Sequence, residues 1–176
     1  MPNFSSISEL EQWLKSSGWI QAKTSSGLTM KDILIQEGEK LKSCLEKAIS
    51  NYYDTMPSSG IVPRTYDLQN SLLLDKLVHV DLSSGRLSIG INFDADKIKA
   101  ESIIDGYDSS AYNTAVLIND GWQVEKNVWF KDIERFGFYH DGFDFIQEAL
   151  NSFYADNPYN LKVHVEGFKK NYDWGY

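Results

Sequence analysis

Residues 78–93 read Val78-His79-Val80-Asp81-Leu82-Ser83-Ser84-Gly85-Arg86-Leu87-Ser88-Ile89-Gly90-Ile91-Asn92-Phe93. Val78, Val80 and Leu82 alternate with His79 and Asp81, and Leu87, Ile89, Ile91 and Phe93 alternate with Ser88, Gly90 and Asn92. An apolar residue at every second position turns one face of an extended chain toward a core and the other toward water. The polar stretch Ser83-Ser84-Gly85-Arg86 between the two runs is a turn, so the pair predicts an antiparallel hairpin, with the change of period beginning at Leu72.

Upstream the period is helical. Ile33, Leu34, Gly38, Leu41, Leu45, Ala48, Ile49 and Tyr52 recur at spacings of three and four, which predicts a helix from about Met30 to about Tyr53. Thr29 with Asp32 offers its N-terminal cap. At about 1.5 Å per residue the helix is on the order of 35 Å long, enough for part of it to pack against another subunit. Met56-Pro57-Ser58-Ser59-Gly60 ends it, and Pro63 makes the chain through Thr65 a loop. A shorter helix is expected over residues 6–17, where Ser6 with Glu9, or Ser8 with Glu11, precedes Leu10, Trp13 and Leu14, and Gly18 stops it. Residues 1–27 therefore read as an N-terminal helical extension and residues 28–176 as a single α+β domain.

Downstream, residues 94–111 are polar and read as a loop with one helical turn at Ile98 to Ile104. Ala115 to Ile118 is expected as a strand ended by Asn119-Asp120-Gly121, and Trp122 to Trp129 as a loop that packs its aromatics. Asp141 is placed to cap a helix from Gly142 to about Tyr154, with Phe145, Ile146, Ala149, Leu150 and Phe153 on one face. Leu161, Val163 and Val165 alternate with Lys162, His164 and Glu166 in an expected last strand, and the tail from Asn171 to Tyr176 is expected to fray. The whole is an α+β fold: a long N-terminal helix and a shorter C-terminal helix packed on a small antiparallel or mixed sheet.

The 176 residues are 42% hydrophobic and 14% aromatic, ample for a packed core, with a formal net charge of −8. That charge repels phosphate backbones, so sequence-specific nucleic acid is not the expected partner. The lone cysteine, Cys44, falls in the helical pattern and reads as a reduced, partly buried thiol of a cytosolic protein. No basic region leads into an apolar run at Met1-Pro2-Asn3-Phe4-Ser5, and no stretch approaches eighteen apolar residues, so neither a secretory signal nor a membrane span is expected.

Chemistry is sparse. Counted from Asp94, a calcium loop would need an oxygen ligand at Ile98, glycine at Lys99 and glutamate at Asp105. His79, His140 and His164 lack zinc spacing and read as exposed or packed side chains. No G-x-S-x-G, G-x-x-x-x-G-K-[ST] or G-x-G-x-x-G occurs. No catalytic residue, cofactor or metal is therefore expected, and the aromatic residues, set among Asp120, Glu125, Asp132 and Glu134, suit a core or a protein interface.

Two segments resemble a specific family. Arg64-Thr65-Tyr66-Asp67-Leu68-Gln69-Asn70-Ser71-Leu72, after a long helix and a Pro/Gly break, resembles the R-T-x-x-L-x-x-S-[IL] signature of siphophage and prophage tail-completion proteins, the minor tail or head–tail connector subunits. Asn119-Asp120-Gly121-Trp122, followed by Gly142-Phe143-Asp144-Phe145-Ile146-Gln147-Glu148-Ala149, is similar to that family's glycine-containing turn and F-I-x-x-A helix. The order of elements matches over residues 28–168. Read physically, Thr65 and Asp67 suit a turn, Leu68 and Leu72 dock a helical turn with Ser71 facing outward, and the forked donors of Arg64 suit a carboxylate.

The resemblance implies a non-enzymatic virion protein that assembles into a ring with copies of itself, the head connector and tail-tube proteins. It implies host cytoplasm during assembly and the neck or tail of the virion afterwards. Arg64, Thr65, Tyr66, Trp122 and Trp129 are then the expected interface residues. The competing expectation is a small acidic bacterial binding module of the immunity or antitoxin kind.

Overall fold

The computed structural model describes residues 12, 27–55, 67–81, 86–98, 114–123 and 139–169, with Leu117, Trp122, Gln123, Tyr139 and His140 by backbone alone. In chain order the elements are α1 (Met30–Thr55), α2 (Asp67–Asn70), β1 (Leu72–Asp81), β2 (Arg86–Phe93), α3 (Thr114–Asp120), β3 (Gly121–Gln123), β4 (Tyr139–Asp141) and α4 (Phe145–Tyr154). This is a small α+β fold with a long helix near its start and a shorter one near its end. Of the helix expected over residues 6–17, only Gln12 is described, and it is helical. The break at 56–60, the loop through 65, most of the acidic loop and the tail lie outside the described residues.

The cap expected on α1 is present and reciprocal. Asp32 N donates to Thr29 Oγ1 at 3.1 Å, while Thr29 N and Oγ1 both donate to Asp32 Oδ2 at 2.9 and 2.6 Å. Aspartate takes the third helical position that glutamate usually fills, closing a capping box and placing negative charge at the positive end of the helix.

By packing, the chain divides into two compact units, one of Met1–Lys42 with Leu73–Asn92 and one of Ser43–Leu72 with Phe93–Tyr176. In the first, β1 and β2 form a two-stranded sheet. The four residues between their ends are too few for a parallel crossover, so the pair is the expected antiparallel hairpin. The helix reaches this hairpin through Gly38, where a Cβ would overlap Ile89 Cδ1 and lie 2.9 Å from Leu74 Cδ1. Ile33 and Leu34 are buried on the same stretch of helix. Lys76 Nζ meets Glu39 Oε1 at 2.9 Å and holds the Glu39 carboxyl below its usual range, but the pair is exposed and adds little stability.

In the second unit, Ala48, Ile49, Tyr52 and Tyr53 of α1 are buried, as are Phe145, Ile146, Ala149, Leu150 and Phe153 of α4, at helical spacing as expected. Asn51 Nδ2 donates to Glu148 Oε1 and ties the two helices together. The Tyr52 ring lies 5.2 Å from that of Phe143, and burial pushes its hydroxyl up to about 12.

Three expectations are corrected here. Ala115 to Ile118 is helical, within α3. A four-residue apolar run does not separate strand from helix by its period, and the β-branched Val116 and Ile118 favour the strand. Burial decides it: Ala115, Ile118 and Asn119 are buried three and four apart, on one helical face. The second correction concerns α4, which begins at Phe145, with Asp141 paired in β4 instead of capping. Lastly, residues 161–166 carry no strand assignment, although their burial alternates as expected. The segment is tied instead by side chains: Asn157 bonds the backbone of Leu161 in both directions, and Val163 N donates to the Tyr154 hydroxyl at 2.8 Å.

Substitutions at Gly38 and Tyr52 test this packing. Gly38→Leu should lower stability by about 1–3 kcal/mol in urea titration through overpacking. Gly38→Ala should lie near neutral, because flexible side-chain ends can yield and alanine gains up to about 1 kcal/mol of helix propensity. For Tyr52, a folded-state value raised above the unfolded one gives stability that is present below about pH 10 and lost as pH rises toward 12. Tyr52→Phe should flatten that alkaline fall and remove one late phenolate transition at 295 nm.

Candidate protein-interface site

The described half of the signature segment is a tightly bonded corner. Leu68 and Leu72 are buried, as expected for side chains that dock a helical turn. Ser71 does not face outward as expected: it is fully buried, and its Oγ donates to Leu68 O at 2.6 Å. Asp94 N donates to Ser71 O at 2.8 Å, and Lys97 Nζ donates to Asn70 O at 3.2 Å. A serine hydroxyl bonding three residues back closes the turn from within, which is why a polar side chain points inward. This half of the motif shapes the chain. Arg64, Thr65, Tyr66 and Trp129 lie outside the described residues.

Trp122 was expected in a loop but occupies a strand. Trp122 pairs with His140, Gly121 with Asp141 and Gln123 with Tyr139 in an antiparallel ladder. Fifteen residues separate β3 from β4 in the chain, and neither strand shows an alternation long enough to read. The ladder closes onto a junction centred on Asn119, which is fully buried. Its Oδ1 accepts from Ile146 N at 3.0 Å, so one of the unpaired N–H groups opening α4 is capped by a residue 27 positions earlier. In return Phe143 N and Asp144 N donate to Ile118 O and Asn119 O, the carbonyls that end α3, at 2.9 and 3.0 Å. Gly142 makes the approach possible: a Cβ there would lie 2.6 Å from Asp120 C and 2.8 Å from Gly121 N. Asp120 extends the junction, accepting from Asn119 Nδ2 on Oδ1 and from Lys169 N on Oδ2, both at 2.7 Å.

On the hairpin, Leu73 and Leu77 are 51% and 66% exposed, and their spacing puts them on one face of β1. Asp75 lies between them on that face. Its carboxylate accepts from Leu77 N at 2.8 Å and meets His79 Nε2 at 3.1 Å, and these contacts hold it below the usual carboxylate range. The signal was in the sequence, since leucines at 73 and 77 are out of phase with Leu72, Leu74, Val78 and Val80. The unbroken Leu72-Leu73-Leu74 run hid it.

His79 and His164 are exposed, as expected, and Cys44 is half-buried. Among the described residues, no three His, Cys, Asp or Glu side chains are grouped to hold a metal ion, and no helix is long and apolar enough to cross a membrane. Asp94 acts locally, taking Asp96 N on Oδ1 at 3.1 Å with Lys97 Nζ 3.8 Å from Oδ2. The described residues offer an exposed leucine pair on β1 and a corner closed by hydrogen bonds. No protein-family model matches the chain, and no curated protein or solved structure matches it at a significant level.

Asn119→Ala should cost about 2–3 kcal/mol in chemical denaturation, combining a lost cap with a buried N–H left unpaired. Gly142→Ala should cost about 3 kcal/mol, because the atoms in its way are backbone. A near-neutral result for both would show that the junction does not hold α4.

Proposed function

We propose that this chain is a structural virion protein of a tailed phage or prophage, a head–tail connector or tail-completion subunit that acts by ring assembly and protein–protein contacts. The binding part of this reading rests on the exposed leucine pair of β1. Two large apolar side chains on one sheet face gain free energy only when a partner covers them, at about 25 cal/mol per Å² of apolar surface removed from water. The connector part rests on the Arg64 to Leu72 segment and its place between a long helix and a hairpin. The proposed partners are copies of itself, the head connector and tail-tube proteins. Self-association must then bring together chains of net charge −8, so salt should strengthen it by screening.

Sedimentation of the pure chain across a concentration series, at low and physiological salt, checks the assembly. Closed higher oligomers, promoted by salt and lost in Leu73→Ser/Leu77→Ser without loss of the cooperative melt, are the expected result. A strict monomer that also fails to bind the portal and tube proteins encoded beside it would sink the reading. A toxin gene as its neighbour would favour a small acidic inhibitor instead.

A further inference from the structure

We draw no further inference here: the strongest candidate, the outward face of β1 with Leu73 and Leu77 on either side of Asp75, is an exposed apolar face and nothing in the structure shows what covers it.

Discussion

The buried amide of Asn119 is the contact on which the second unit depends. A helix leaves N–H groups unpaired where it starts and carbonyls unpaired where it ends, and such groups are costly when buried. Here two helix ends solve the problem for each other. The closing carbonyls of α3 receive the N–H groups of Phe143 and Asp144, and Asn119 reaches forward to the opening of α4. A seven-residue helix such as α3 would not persist alone in water, so its helical state rests on tertiary contacts, the burial of Ala115 and Ile118 together with this junction. Once α4 is aimed, Phe145, Ile146, Ala149, Leu150 and Phe153 are carried into the core together. The β3–β4 ladder and the Asp120 bond to Lys169 then fasten more of the chain to the same point.

In the first unit the helix meets the hairpin at a residue without a side chain. Gly38 lets the long helix lie against Leu74 and Ile89, and the hairpin holds its apolar phase inward. The consequence is on the other face of β1, where Leu73 and Leu77 have nowhere inward to go. Asp75 occupies the Leu77 N–H with its own carboxylate, which satisfies a strand donor locally and discourages ladder addition along that edge. That edge therefore exposes the leucine side chains rather than a free backbone donor at Leu77. Leu68, Ser71 and Leu72 are buried and hold the chain, while Leu73 and Leu77 beside them in sequence stay exposed.

Much of the fold was legible because it is local. The alternation of Leu87, Ile89, Ile91 and Phe93 and the three-and-four spacing from Ile33 to Tyr52 each report a periodic structure with one buried side. The Thr29–Asp32 cap needs only three residues of separation, and it formed as read. The α3 segment misled because four apolar residues are shorter than the period that would identify them. Ser71 misled because its hydroxyl satisfies itself on a carbonyl one turn back, so a polar residue could be buried at small cost. The candidate binding face was half legible: the out-of-phase leucines were present, but inside a run whose other members point to the core.

Sequence by itself determined the elements whose cause lies within one turn or one strand: the long capped helix, the hairpin, the buried face of α4, and an acidic balance that disfavours phosphate backbones. Tertiary structure decided whatever needed a partner far along the chain. That includes the helical state of residues 114–120, the start of α4 at Phe145 under a cap 27 residues away, the pairing of Trp122 with His140, and the return of Phe168 to Phe93 and Phe145. The physical reason is the same in each case. A periodic pattern records which side of an element is buried, while a hydrogen bond or ring contact between distant residues leaves no period to read.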